Sequence, residues 1–380
     1  MNYFDLLADE WRSGRRLDER DALWLLREAP LLQLGGLAHE DRCRRHPADR
    51  VTFVVDANPN YTNVCDTYCS FCAFYRRPGH AEGYVHSPTD MVERVAPAIA
   101  RGATRLLLQG GHNPELPFEY YLELIRTLRT AYPGTELHMF SPPEIRAIAR
   151  FSEQTVREVL QRFRDAGLRT LPGGGAEILS DRVRERVSPL KGSPAEWVDV
   201  MRTAHHLGYR TTATMMYGHV EQDEDVVEHL RRLRDLQDET GGFFAFIPWS
   251  FKRGSTPLSS AVDQDAGPGR YLRILALSRL YLDNVPHVQC SWFSEGEKAG
   301  QLGLHFGADD FGGTLLEENV LRAAGHENRT STERVTRVIR DAGFTPVQRT
   351  TLYETIDEPA APGDADERAR VRPAAQEAQP

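Results

Sequence analysis

Short runs rich in β-branched and aromatic residues alternate with longer amphipathic stretches along most of the chain, and this alternation constrains the fold more than any other feature. Strands are expected at 51–56, 104–109, 136–140, 169–171, 211–216, 243–249 and 287–292, with a weaker eighth at 302–306. Between them, Val156, Val159, Leu160 and Phe163 recur at the spacing of one buried helix face, and Val226, Leu230, Leu233 and Leu236 nearly do. Ser87-Pro88 and Ser193-Pro194 read as capped helix starts, and Gly102, Gly167 and Gly208 as helix stops. Seven or eight strand–helix units in series predict an α/β protein with a parallel sheet: a (β/α) TIM-type barrel, partial or complete, with an open doubly wound sheet as the alternative. Either way the active site belongs at the carboxyl ends of the strands.

Residues 1–45 read as a short N-terminal helical segment, with Ala22, Leu25, Leu26 and Ala29 on one face; 46–357 is the barrel. Residues 358–380, mostly Ala, Pro, Asp, Glu and Arg, have too little apolar surface to offset their ordering entropy and are expected to be disordered. With 46 basic against 55 acidic residues the net charge is −9 and no basic block occurs, which argues against nucleic acid or an anionic membrane as partner. No apolar run is long enough to span a bilayer, and the acidic first ten residues do not resemble a secretory signal, so the expected location is cytoplasmic.

Three of the five cysteines, Cys65, Cys69 and Cys72, fall within eight residues as C-x3-C-x2-C in the loop after the first expected strand. Three close thiolates can hold three corners of a [4Fe–4S] cluster, and the open iron would then bind a ligand. Structural zinc is the competing reading; it needs four ligands, commonly two separated pairs, and no second pair exists here. Cys43 and Cys290 are isolated and read as small buried hydrophobes. A non-catalytic electron carrier is a further alternative, although carriers complete their clusters with four cysteines.

The motif, with Phe71 before its last cysteine, resembles the signature of the radical S-adenosylmethionine superfamily. Residues 60–76 together with Leu108-Gln109-Gly110-Gly111-His112, Phe140-Ser141-Pro142-Pro143-Glu144, Pro172-Gly173-Gly174-Gly175-Ala176-Glu177, Met216-Tyr217-Gly218-His219-Val220-Glu221 and Gly307-Ala308-Asp309-Asp310 resemble the dehypoxanthine futalosine cyclase family, over about residues 50–356. The resemblance implies a [4Fe–4S] cluster on Cys65, Cys69 and Cys72 and S-adenosyl-L-methionine on its open iron. It also implies a small nucleoside-like substrate and an electron donor such as flavodoxin or ferredoxin. The implied reaction belongs to menaquinone biosynthesis: a 5′-deoxyadenosyl radical takes the ribose C4′ hydrogen, and the carbon radical adds to the benzoate ring. Aminofutalosine synthase and deazaflavin-forming synthases share the same loop and barrel. Pro59 and the stretch 251–256 depart from the family pattern at the expected active-site rim, which bears on substrate identity.

Other residues carry two readings each. Gln109, Gly110 and Gly111 form a strand-to-helix turn; by resemblance they contact the methionine amino group. Ser141 with Glu144 is either a capping box or a cofactor contact. Glu177 is either an exposed carboxylate at a helix start or a catalytic group, for ribose hydroxyls or the final deprotonation. By resemblance Phe71 and Phe74 shield the cluster, and the segment of Tyr217 and His219 contacts adenine through its backbone. Arg76, Arg182 and Lys252 are equal candidates for the substrate's carboxylate.

Overall fold

The computed structural model describes residues 2–325 and 330–356, so the expected disordered tail lies outside the described residues. Ten strands follow one another: β1 (Arg50–Val54), β2 (Asp56–Ala57), β3 (Arg105–Leu108), β4 (Glu136–Met139), β5 (Thr170–Leu171), β6 (Arg210–Tyr217), β7 (Phe243–Ser250), β8 (His287–Val288), β9 (Asp310–Gly313) and β10 (Thr345–Gln348). Strands β2 to β8 form a seven-stranded parallel sheet in sequence order, and β10-β1-β9 form a second parallel sheet. The two sheets are bonded at both seams. Cys290 N donates to Asp310 O (2.8 Å) on the β8 side, and Leu316 N donates to Asp56 O (2.9 Å) on the β2 side. The curled sheet with helices outside it is the expected TIM-type barrel.

The local rules operate as expected. Ser87 and Ser193 cap the helices Pro88–Ala100 and Pro194–His206, each accepting from the backbone N–H three residues on. Val159, Leu160 and Phe163 are buried, as are Val226, Leu230, Leu233 and Leu236. The N-terminal helices α1 (Tyr3–Arg12), α2 (Glu19–Arg27) and α3 (Leu31–Arg45) share the barrel's apolar core through Leu25, Leu34 and Ala38.

Three strand expectations change. The run expected as one strand at 51–56 divides into β1 and β2, which belong to different sheets. The stretch 302–306 does not form a strand, because it ends the helix Glu297–Leu304, whose buried Ala299, Gly300, Gly303 and Leu304 follow a helical spacing. The strand that closes the barrel is β9, Asp-Phe-Gly-Gly. A Cβ on Gly313 would lie 2.3 Å from the Asp56 carboxylate, so glycine is required there by close approach. The expected strand at 287–292 also shortens to two residues, because Trp292 begins a helix.

Burial sets the acid response. Burial pushes the imidazoles of His46 and His205 down to about 4 and that of His229 to about 3, from an ordinary 6.5. Below pH 6.5 the unfolded chain therefore binds more protons than the folded one, and stability falls as the pH drops towards these values. The loss sets in below pH 6.5 and deepens down to pH 4. Thermal unfolding at stepped pH checks this: the Tm should decline steadily across that window, and His205→Gln should make the decline shallower.

Candidate active site

The loop after β2 carries the three thiols and is fastened along its length. Cys65 N donates to Arg76 O (2.9 Å), Arg76 N to Asn63 O (2.7 Å), Ser70 N to Val187 O (2.9 Å) and Cys72 N to Cys69 O (3.2 Å). Cys65 and Cys69 are buried, Cys72 is partly exposed, and all are free thiols. Burial pushes the Cys69 thiol up to about 12, against the pull of the Lys191 ammonium. Burial also raises Cys72, whose sulfur is faced by the backbone N–H groups of Tyr75 and Phe74.

The Gly-Gly turn after β3 holds this loop in place. A Cβ on Gly110 would lie 2.5 Å from the Tyr61 ring, and one on Gly111 would lie 2.1 Å from Val64 O. Gly111 N donates to Thr62 O (3.0 Å). The missing side chains are thus used to seat the thiol loop against the barrel mouth. Gly111→Ala should push the loop outward, costing about 2 kcal/mol. Iron analysis after anaerobic reconstitution should show a several-fold loss of bound iron.

Ser141 and Glu144 adopt the capping arrangement. Glu144 Oε2 accepts from Ser141 N (2.8 Å) and Oγ (2.6 Å), while Oε1 accepts from Tyr61 OH and Gly110 N, both at 2.8 Å. This buried carboxylate joins the thiol loop to the ends of β3 and β4. Gln109 crosses to β5: a Cβ on Gly174 would lie 2.3 Å from its Nε2.

Glu177 is not an exposed helix-start carboxylate. It is buried beyond β5, where Lys191 Nζ donates to its Oε1 at 2.6 Å and Arg184 Nη1 stands 3.7 Å from Oε2. Oε2 has no hydrogen-bond partner, although a buried carboxylate oxygen ordinarily finds one. Lys191 Nζ also stands 5.2 Å from the centroid of the Phe71 ring. Burial would lower the Lys191 ammonium, but Cys69 and Glu177 beside it raise it above its ordinary value, so it stays charged. Cys69, Phe71, Glu177, Arg184 and Lys191 therefore share one corner of the mouth. Tyr68, Phe140 and Glu177 have left-handed backbone (φ 49°, 62° and 44°), as do Glu153, Leu315, Glu317 and Tyr353 elsewhere.

The remaining expected residues lie apart from that corner. Phe74 faces outward, edge-on to Tyr84 with centroids 6.4 Å apart. Tyr217 is buried at the end of β6. His219 braces its own loop: Nε2 donates to Met216 O (2.9 Å), and Nδ1 lies 2.7 Å from Val220 N and 3.2 Å from Glu221 Oε2. Arg182 pairs with Asp225, and Arg76 pairs with Glu82 while capping the carbonyls of Ala73, Phe74 and Tyr75. Lys252 alone of the three carboxylate candidates turns into the mouth, where its Nζ donates to Ser250 Oγ (2.7 Å) and lies 3.6 Å from Glu295.

The donor set discriminates between metals. Tetrahedral zinc would draw its thiolates to about 3.8 Å from one another. Among the described residues the one three-ligand grouping within 4.8 Å is His46, His287 and Asp309, not the thiols. There the Arg279 guanidinium already neutralises Asp309, so that grouping is an ion-pair network. Three thiols too far apart for one ion, beside a charged lysine and an unpartnered carboxylate oxygen, fit a polynuclear cluster carrying a zwitterionic ligand.

Residues 60–233 match the radical SAM superfamily, and residues 240–361 match the CofH/MqnC C-terminal region. The chain is 43% identical over 344 residues to a cyclic dehypoxanthine futalosine synthase from Halalkalibacterium halodurans, covering 90% of this chain and 92% of that protein. This chain is a radical SAM enzyme of the dehypoxanthine futalosine cyclase family. A 5-amino-6-(D-ribitylamino)uracil–L-tyrosine 4-hydroxyphenyl transferase from Methanopyrus kandleri is also 43% identical, over 84% of this chain and 88% of that protein. Among solved structures, methylornithine synthase superposes with a TM-score of 0.70 at 19% identity, over 90% of this chain and 97% of that one, which establishes the shared barrel. As a radical SAM enzyme the chain uses a [4Fe–4S] cluster and S-adenosylmethionine. Among the described residues no helix is long and apolar enough to cross a membrane.

Lys191 and Arg184 were not singled out by sequence. A signal was available for the lysine: the chain has three lysines among 46 basic residues, and two of them, Lys191 and Lys252, lie half-buried at the mouth.

Proposed function

We propose that this enzyme closes a ring in dehypoxanthine futalosine to form cyclic dehypoxanthinyl futalosine, the step that the family resemblance assigns to menaquinone biosynthesis, and that it does so in the cytoplasm. The observation that carries the reading is the corner where the free thiol Cys69 meets a charged Lys191 and the unpartnered oxygen of Glu177. The catalytic unit is the barrel of residues 46–357, braced by the helical segment 1–45.

When bound, the cluster and S-adenosylmethionine supply a hydrogen-abstracting 5′-deoxyadenosyl radical. The chain's residues do the rest. Cys65, Cys69 and Cys72 hold the cluster. Lys191 and Arg184 offer positive charge to a carboxylate, and Glu177 accepts from an ammonium or a ribose hydroxyl. Phe71 covers the corner and keeps it dry, which a reactive radical requires. The Gln109-Gly110-Gly111 turn and Ser141 border the methionine end, and the loop of Tyr217 and His219 borders adenine. Lys252 is assigned to the benzoate carboxylate, because it stands half-buried just beyond β7, where Glu295 is its present carboxylate partner. Reduction is by a one-electron carrier such as flavodoxin or ferredoxin.

The equal identity of the hydroxyphenyl transferase supports a second reading, a deazaflavin-type coupling, and aminofutalosine synthesis is the third. A competition assay separates them. Anaerobic enzyme given reductant, cofactor and each candidate substrate in turn should consume dehypoxanthine futalosine at least about tenfold faster than the others, a margin that pocket contacts supply. Conversion of tyrosine with the ribitylaminouracil alone, or of the enolpyruvyl precursor alone, overturns the reading.

A further inference from the structure

A cleft of about 500 Å³ lies between the thiol loop and the segment of Asn319 and Arg322, and the reading above leaves it without a role. It is lined by Arg76, Arg94 and Arg322, with Phe74, Tyr84 and His86 among its walls, and among the described residues no carboxylate lines it. On a chain of net charge −9, Arg94 and Arg322 at one opening make a local patch of positive charge, while the charge of Arg76 is matched by Glu82. Arg94 is exposed on the helix Pro88–Ala100, and Arg322 is exposed on the short helix Val320–Ala323. Arg76 pairs with the exposed Glu82, and its guanidinium also binds the carbonyls of Ala73, Phe74 and Tyr75. Phe74 and Arg76 lie two and four residues beyond Cys72, the most exposed of the three thiols. One short segment therefore both faces the Cys72 sulfur with its backbone and lines this cleft with its side chains.

We propose that the cleft of Arg76, Arg94 and Arg322 is the docking surface for an acidic one-electron carrier protein, which reduces the cluster through the Cys72–Arg76 segment. The inference rests on the radical SAM reading and adds the place where the electron enters. One electron leaves the carrier and one reduces the cluster; no bond forms or breaks at the surface. A small anionic substrate is the other occupant that arginines and aromatic rings would suit. The cleft disfavours it, because two of its arginines stand exposed on outer helices and radical chemistry needs a site closed to water. A wet, cationic rim suits a transient protein encounter, where charge sets the association rate and its salt dependence.

The test uses the reconstituted full-length enzyme and its Arg94→Glu/Arg322→Glu variant, both outside the thiol corner. S-adenosylmethionine cleavage is driven either by titanium(III) citrate or by reduced flavodoxin. The expected result is equal cleavage with titanium citrate, and with flavodoxin at low salt a loss of roughly tenfold or more in the variant. Added salt should slow the flavodoxin-driven reaction of the unaltered enzyme and barely affect the variant. Equal flavodoxin-driven rates overturn the inference, as does failure of flavodoxin to reduce the unaltered enzyme. A raised KM for the nucleoside substrate under titanium citrate also overturns it and assigns the cleft to a small molecule. No cleavage by the unaltered enzyme with titanium citrate instead overturns the radical SAM reading itself.

Discussion

Cys69→Ala enzyme, reconstituted anaerobically, should retain no stable four-iron cluster, and its cleavage of S-adenosylmethionine should fall by at least about 10³-fold, because the radical originates in the cofactor and not in the protein. The thiol is buried, and burial holds its proton on up to about pH 12 in the metal-free chain. Metal binding must therefore displace that proton, and Lys191 nearby compensates the resulting negative charge. Two remaining thiolates cannot hold the three corners on which the open iron depends. Cys43→Ala is the matched control. That thiol meets His39 at 3.5 Å, far along the chain from the loop, and its loss should leave iron content and cleavage unchanged. Iron and sulfide analysis with the visible spectrum reads the first effect, and quantified 5′-deoxyadenosine reads the second.

Lys191→Met should have the second-largest effect, acting on stability and on cofactor binding together. The substitution leaves Glu177 buried with Arg184 at 3.7 Å as its remaining cation. Removing one partner of a buried pair costs about 3 kcal/mol, because the other charge stays desolvated. Denaturant unfolding should show that loss. The double variant Lys191→Met/Glu177→Gln should recover most of the stability, since no charge is then stranded. It should not recover affinity for S-adenosylmethionine, which we expect to fall at least about tenfold with one charged contact gone. Recovery of both would make the pair purely structural.

What could be read from sequence follows from how local each signal is. The helix caps at Ser87 and Ser193 and the buried faces at Val159 and Leu230 depend on residues within a turn or two of each other, and they hold. The closing strand was misplaced because its requirement is non-local. Gly313 belongs in β9 owing to the Asp56 carboxylate across the seam, and two glycines in a four-residue strand oppose β propensity. The thiol loop was legible because its three ligands are close in sequence. The charged corner was only half legible: Glu177 stands in a glycine-rich loop that marks itself, whereas Lys191 ends a short turn, Pro189–Lys191, and reaches Glu177 only after the chain folds back. By resemblance Phe74 and Phe71 share one role, yet their rings have different neighbours, Lys191 for Phe71 and Tyr84 for Phe74.

The account is tested most directly by the fate of one hydrogen. Dehypoxanthine futalosine carrying deuterium at ribose C4′ is incubated anaerobically with the reconstituted enzyme, reductant and S-adenosylmethionine. The predicted result is one deuterium in the recovered 5′-deoxyadenosine, and a ring-closed product that has lost that deuterium together with one ring hydrogen. Cofactor cleaved to unlabelled 5′-deoxyadenosine while the nucleoside stays intact would contradict the account.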